Sequence, residues 1–514
     1  MKPLARDGAF IGGLAALALA AVSYLGWKLA GLPFAPFDVF DSAVRAVPGS
    51  VATFGVESTI AITRVLHLAS TAAAAKTAEQ TLAVAAFVAL GVVAGAGLYA
   101  VLRYSDEPAL LVGVTFGAVL GGMTLFVERG INRIGSGALA DDLWVIGTFL
   151  GWGAVVGGTY DRLRSLATRS IPTDGRGVER RRFLMQAGGA VLAVTGVSTV
   201  CGVLVARWRR TPLGERWSAS HALPNAAASV APVPGTRQEF TALESHYRID
   251  TVTRVPVINA SRWRLRIGGL VEQRLELTLD DLRQFEPMHQ FVTLSCVSNP
   301  VGGDLIGTTR WTGVSLQGLL PRLGLKRSAT HLRIRSADGF FEVIPVDAFR
   351  RDARVMLAYA WDGLPLPVEH GFPLRIYIPD VYGMKQPKWI DAIDAVDRWE
   401  PGYWVARGWD PVGQMKATSV IDVVAAAAPG DGQAMRALVG GIAHAGVRRV
   451  STVDVRVDGG EWRRAELREP LSDATWVLWR ADVVVAPGDH EFTVRCSEGD
   501  GAPQTDGFHT KRSG

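Results

Sequence analysis

Cys296 lies in Thr293-Leu-Ser-Cys-Val-Ser-Asn-Pro-Val-Gly-Gly-Asp304, where a strand-like apolar run breaks into a glycine-rich loop. A strand end opening into such a loop sets a side chain at the mouth of a pocket and lets backbone approach a ligand closely. A thiolate there can act as a nucleophile or as a soft metal ligand. The nucleophile would need a histidine base, and His289 and His370 are available. Cys201 falls in an apolar helical run and Cys496 in a strand-like run, so no disulfide framework is readable. Both are expected as small buried apolar residues.

The elements that must position Cys296 come from residues 246–413, where short strands mix with helices. Arg262-Trp-Arg-Leu-Arg-Ile-Gly-Gly269 alternates with the period of a half-buried strand. Leu279-Asp-Asp-Leu-Arg-Gln-Phe285 reads as a short helix begun by aspartates, and Ser315–Leu323 as another. Residues 414–514 read as strands separated by Gly, Pro and Asp turns, which predicts an immunoglobulin-like β-sandwich. Residues 207–245 are rich in Ala, Pro and Ser and predict a linker with too little patterned apolar content for a core.

The first 206 residues differ in kind. The 514-residue chain has 57 glycines and a positive mean hydropathy of +0.18, and its apolar excess is concentrated here. Five runs reach the ~20 residues that a bilayer crossing needs: 10–32, 81–102, 108–127, 143–160 and 183–206. The stretch 51–76 is interrupted by Glu57, Arg64 and His67 and predicts an amphipathic interfacial helix. Glycines such as Gly91, Gly95, Gly117 and Gly153 permit close helix packing. No ionisable residue lies deep inside a predicted span. His67 is the only histidine before His221, so a haem held between membrane histidines is not expected.

The net charge is +5, but much of it flanks membrane segments, where orientation explains it and nucleic acid need not. The arginine-rich stretch 161–182 is expected on the cytoplasmic side, which puts the N-terminus inside and everything after the fifth span outside. Arg180-Arg-Arg-Phe-Leu184 also resembles a twin-arginine export signal. Without a clean cleavage site after it, the fifth helix is expected to stay as an anchor.

Several separated motifs follow in order: Leu294-Ser-Cys-Val-Ser-Asn299, Arg310-Trp-Thr-Gly-Val-Ser315, Ala358-Tyr-Ala-Trp-Asp362, His370-Gly-Phe-Pro-Leu-Arg375, Pro379-Asp-Val-Tyr-Gly-Met-Lys-Gln-Pro-Lys-Trp389 and Gly440-Gly-Ile-Ala443. Together they resemble the sulfite oxidase family of molybdopterin-dependent oxidoreductases over roughly 240–500. The resemblance implies an α+β molybdopterin-binding domain and a C-terminal sandwich that supports the pocket or dimerises. It makes Cys296 the protein's thiolate ligand to molybdenum, a soft donor that needs no separate base once metal-bound. Arg248, Asp250, Asp338, His370, Arg375, Gln386, Pro387 and Lys388 fall at cofactor-binding positions. Arginine, lysine and glycine-turn amides suit an anionic, phosphate-bearing cofactor. Arg310 and Tyr403 join Cys296 as catalytic expectations.

The family's arginines just after the Cys-x-x-Asn are replaced here by Pro300, Val301 and Gly302. A dianion would lose its charge-assisted bonds there, so a neutral oxo substrate such as a sulfoxide fits at least as well as sulfite. The expectation is a membrane-anchored, outward-facing enzyme that performs two-electron oxo transfer on a small molecule and exchanges electrons with a separate partner. The other reading is a cofactor-free, membrane-tethered module that only binds a partner.

Overall fold

The computed structural model describes residues 3–47, 58, 71–131, 139–168, 173–208, 215–426 and 435–507. It forms two compact units, one of residues 1–59, 74–212 and 250–257, the other chiefly of 213–249 and 258–514.

The first unit is helical: α1 (Ala5–Ala30), α2 (Ala35–Ala46), α3 (Thr71–Leu102), α4 (Ala109–Ile131), α5 (Leu139–Thr168) and α6 (Thr173–Trp208). Among the described residues five stretches are long and apolar enough to cross a membrane: Ala5–Ala30, Ala74–Leu102, Ala109–Val127, Leu139–Leu166 and Arg181–Val205. The predicted interfacial helix lies almost wholly outside the described residues. The arginine-rich stretch is largely helical rather than a loop, since α5 runs to Thr168 and α6 starts at Thr173.

Small residues decide the helix contacts. A Cβ on Gly12 would collide with the Gly91 carbonyl, and one on Gly95 with that of Gly8. Gly113 and Gly117 meet Phe149, Gly153 and Gly157 in the same way. Spacings of four residues put each glycine pair on one helix face, so backbones touch without intervening side chains.

Residues 250–257 pack as a strap on these helices. Lys76 Nζ donates to Asp250 Oδ1 at 2.7 Å and to the Val252 carbonyl. Thr253 N donates to both oxygens of Asp41 at 2.9 Å, and Arg254 pairs with Asp38 at 3.0 Å.

The second unit holds two five-stranded sheets and a C-terminal pair. Strands β1 (Leu265–Gly269), β2 (Leu275–Leu277), β5 (His331–Ser336), β6 (Phe341–Pro345) and β10 (Ile390–Val396) form one sheet in the order β2-β1-β10-β5-β6. Only β1–β10 is parallel in it. Strands β3 (Met288–Ser295), β4 (Ile306–Ser315), β7 (Met356–Trp361) and β8 (Leu364–Pro365) run in that order, with β9 (Arg375–Tyr377) on β7. Helix α7 (Leu279–Arg283) is opened by Thr278, whose hydroxyl accepts from Asp281 N at 3.0 Å while the Asp281 carboxylate accepts from Thr278 N at 2.8 Å. That reciprocal cap is why the expected helix forms where it does. Helix α8 (Leu316–Leu323) buries Leu316, Leu319, Leu320 and Leu323, one face of a helical repeat. Helix α9 (Val346–Arg351) follows β6 and buries Val346 and Phe349.

Beyond residue 413, β11 (Thr418–Ala426), β12 (Met435–His444), β15 (Glu466–Leu467) and β16 (Val477–Val485) form a sheet ordered β11-β12-β16-β15. Strands β13 (Val450–Val457), β14 (Arg463–Arg464) and β17 (Phe492–Glu498) form another, ordered β14-β13-β17. Val439, Trp479 and Val483 of the first share a core with Val453, Val455 and Cys496 of the second. Cys496 is buried as expected, whereas Cys201 is exposed on α6.

The expected linker is not a free tether over its described residues. Trp217 N donates to Asp362 O at 2.8 Å, and Arg468 donates to the carbonyls of Asn225 and Val230 at 2.9 and 2.8 Å. Polar anchoring fixes a segment that buries little apolar surface of its own.

Candidate active site

Strand β3 delivers Cys296 one residue past its end. Cys296 N donates to Leu305 O at 2.9 Å, Asn299 N to Cys296 O at 3.0 Å, and Leu305 N to Asn299 Oδ1 at 2.9 Å. These bonds close the loop around the thiol. The side chain is only 8% exposed and packs in a cluster with Tyr247, Leu294, Trp311 and Trp361. Burial pushes the Cys296 thiol up, and hydrogen bonding from the Ser298 backbone and hydroxyl pulls it partly back.

Beside it sits a cage of cations. The Arg375 guanidinium lies over Trp311 at 4.6 Å and over Trp361 at 5.1 Å, and Nη1 donates to the His370 carbonyl at 3.1 Å. Burial brings Arg375 down to about 10. The His370 ring lies tilted at 4.8 Å from Trp361 and edge-on at 5.5 Å from His246. Burial, then His246, Lys388, Arg375 and Arg248, hold His370 well below the usual imidazole range. Every one of those neighbours of His370 is a base. Lys388 Nζ donates to the carbonyls of Ile249 at 3.0 Å and Glu369 at 3.2 Å. Gly371, at φ 113°, turns the chain tightly enough that a Cβ would press on Arg375 and Lys388.

Two further segments border the cage. Gln386 Nε2 donates to Val381 O at 2.9 Å, and Pro387 O accepts from Ile376 N at 3.2 Å. Asp338 caps the β5–β6 turn through Phe340 N at 3.1 Å. Ala337 N donates to Trp389 O at 2.8 Å, which brings that turn beside Lys388. The structure thus groups Cys296, Arg248, His370, Arg375 and Lys388, with Asp338, Gln386 and Pro387 on adjoining turns.

Three expected site residues lie elsewhere. Arg310 is on the face of β4 opposite Trp311, as strand alternation demands. It stacks on Trp217 at 4.8 Å, and burial lowers it, partly offset by Asp362. Asp250 belongs to the helical unit as the partner of Lys76. Tyr403 packs on Phe340 at 5.9 Å, with Arg407 over its ring at 3.8 Å. It also stacks edge-on with Trp404, which with Trp409 clusters with Val297.

Sequence reasoning missed His246, Trp311 and Trp361. Tyr247 packs in the same cluster as Cys296, Trp311 and Trp361, and burial first, then Cys296, raises its hydroxyl while Arg375 lowers it. A signal for the indoles existed, because Arg310-Trp and Ala-Trp361-Asp are parts of the recognised motifs. Nothing in sequence said which indole faces a cation.

Several buried polar atoms have no protein partner: Arg375 Nε, Gln386 Oε1, Ser336 Oγ and Trp361 Nε1. A buried guanidinium walled by aromatic faces, its Nε unpaired, with further donors and an acceptor left over, fits an anionic, hydrogen-bond-rich group. The adjacent thiol is the soft donor a dithiolene-held metal requires. Among the described residues no group of three or more His, Cys, Asp and Glu could hold a metal by itself, so a metal here would rely on a cofactor.

Comparisons with known proteins agree with this chemistry. Residues 252–404 match the family described as oxidoreductase molybdopterin binding domain. Mitochondrial sulfite oxidase of Macaca fascicularis is 30% identical over 287 residues, 47% of this chain and 53% of that protein. The uncharacterized oxidoreductase YuiH of Bacillus subtilis (strain 168) is 30% identical over 149 residues, 29% of this chain and 73% of its own. The "Putative protein-methionine-sulfoxide reductase subunit YedZ1" of Azospira oryzae is 29% identical over 238 residues, 45% of this chain and 86% of its own. This chain spans about half the length of the mammalian sulfite oxidases it matches.

Proposed function

The chain belongs to the sulfite oxidase family of molybdopterin-dependent oxidoreductases, and from that premise we propose that it exchanges an oxygen atom with a neutral, sulfoxide-class substrate rather than with sulfite. It is an oxidoreductase that uses a molybdenum–molybdopterin cofactor. Bound in the cage, that cofactor supplies two-electron oxo-transfer chemistry.

The protein's own residues bind and orient. Cys296 contributes the thiolate, and a cation at sulfur overturns the burial that otherwise keeps the thiol protonated. Arg375, Lys388 and Arg248 balance the anionic cofactor, and His370 stays neutral as a hydrogen-bonding wall. Gln386 Oε1 is left to accept a pterin N–H, and the Pro387 and Asp338 turns frame the same side. Trp311 and Trp361 exclude water from the cation. Tyr403 is proposed as a pocket-rim residue.

One observation carries the substrate assignment: the loop after Cys296 carries Pro300, Val301 and Gly302 rather than a cation. Val301 is 75% exposed at its tip. Arg310 faces away, and Arg237, which touches Gly303 O at 3.4 Å, is already paired with Asp422 at 2.6 Å. A doubly charged oxyanion would leave water without an equivalent partner, whereas a neutral S=O group loses little. The sulfoxide reductase name among the relatives points the same way.

The test compares two half-reactions of the purified enzyme. Small neutral sulfoxides are expected to reoxidise the reduced centre, and low-micromolar sulfite to leave the oxidised centre unchanged. Rapid reduction by sulfite overturns the assignment. Val301→Arg is expected to raise kcat/KM for sulfite by about tenfold or more, the scale of one charge-assisted bond.

The five apolar helices are proposed to anchor the enzyme in the membrane, with arginines 162–182 inside and the catalytic unit outside. The twin-arginine-like motif in α6 is proposed as an export signal and the two C-terminal sheets as an immunoglobulin-like sandwich. Electrons then pass to or from a separate carrier. A cofactor-free binding module is disfavoured, because it has no use for a buried guanidinium set between two indoles beside a buried thiol.

A further inference from the structure

We propose that Arg448 is a positioning residue for the cofactor cage, acting through Asp380. The proposal rests on the assignment of Cys296, Gln386 and Lys388 as cofactor residues. Arg448 lies between β12 and β13, beyond the family-matched residues 252–404. Its guanidinium reaches three separate segments. Nε and Nη2 donate to the two oxygens of Glu498 at 2.6 and 3.0 Å, Nη2 donates also to Met415 O at 2.6 Å, and Nη1 to the Asp380 carboxylate.

Asp380 opens the loop that runs to Trp389 and is held at a φ of 66°, a conformation uncommon for a non-glycine residue. Its Oδ2 accepts from Gln414 Nε2 at 2.8 Å, and its carbonyl from Met415 N at 2.9 Å. Gly446, two residues before Arg448, has a φ of 58°, and a Cβ there would collide with the Asp380 carboxylate. The Arg448 turn and Asp380 are therefore moulded to each other.

Past Asp380 the loop delivers chemistry. Tyr382 N donates to Gly413 O at 2.8 Å, and Tyr382 and Met384 pack on Val297, the neighbour of Cys296. Lys385 makes a buried pair with Glu342 at 2.6 Å, and Gln386 and Lys388 enter the cage. A planar fork bound to three segments fixes the direction in which the loop leaves Asp380. A lysine supplies charge without that geometry.

The test uses full-length Arg448→Ala and Arg448→Lys from a molybdenum-replete host, with Arg468→Ala as control. Arg468 has a comparable donor set, on Glu239 and the linker carbonyls, in place of loop 380–389. Pterin release into filtrate and the visible thiolate-to-metal absorption are read. Both Arg448 variants are expected to release pterin about tenfold faster or more and to shift the absorption band. Arg448→Lys regains melting temperature but not retention, and Arg468→Ala lowers melting temperature with wild-type release. Wild-type release and an unshifted band in Arg448→Lys overturn the proposal, as does Arg468→Ala releasing as fast as the Arg448 variants. Arg448→Lys keeps the test decisive if Arg448→Ala does not fold. A wild-type chain that binds no pterin overturns the family reading of the site, and this proposal with it.

Discussion

A thiol as enclosed as Cys296 is a weak acid by itself and becomes a thiolate only against a cation. Cys296→Ser replaces a soft donor with a hard one of similar size. Turnover is expected to fall ~100-fold or more while circular dichroism and melting stay near wild type; full activity would remove Cys296 from the metal. The buried histidines give a second residue-scale prediction. His246 and His444 are each pushed down to about 4, by burial first. An unfolded histidine binds its proton near pH 6.5 while these buried rings do not, so their stability is fully present above that pH. It is lost as pH falls from about 6.5 toward 4, by ~1.4 kcal/mol per pH unit for each histidine. His444→Phe is expected to flatten that slope by about one proton in urea titrations at several pH values. Cys296, His370, Arg375 and Lys388 were legible in the sequence because their motifs fix residue type and spacing together. Arg310 misled because a strand's two faces differ by one residue, and only the pairing of Phe291 with Arg310 settles which face points where.

Loops carry the cage, and strands aim them. Strands β3, β4, β7 and β9 bring Cys296, Trp311, Trp361 and Arg375 together from positions far apart in sequence, while the 380–389 loop adds Lys388. The strand and helix positions were readable from alternation and from the Thr278 cap. The attachment of residues 215–245 was not, because its fixing bonds, from Trp217 N to Asp362 O and from Arg468 to the Asn225 and Val230 carbonyls, use backbone groups and leave no periodic trace. The helices of the first unit were legible by length, and their contacts partly so, through glycines at four-residue spacing. Gly95→Val puts a branched side chain into the Gly8 and Gly12 backbone. Thermal denaturation in detergent is expected to show a loss of about 1–3 kcal/mol, whereas Gly97→Val, where a Cβ meets nothing within 4 Å, is expected to be near neutral.

At the scale of the whole molecule, the chain joins an apolar helical unit to a sheet-rich oxidoreductase unit, and its topology has a direct test. An alkaline phosphatase reporter fused after Gly514 is expected to be active, and a cytoplasm-dependent reporter at the same point inactive; the opposite pattern would invert the proposed orientation. Purified wild type is expected to hold about one molybdenum per chain. The indole-walled Arg375 also gives maturation of this enzyme a direction. Wrapping a guanidinium in Trp311 and Trp361 costs free energy until an anion settles beside it. A chain that folds without its anionic partner is therefore expected to be cut faster by added protease than one that closes around it, and equal cutting rates would show that Arg375 gains nothing from the anion.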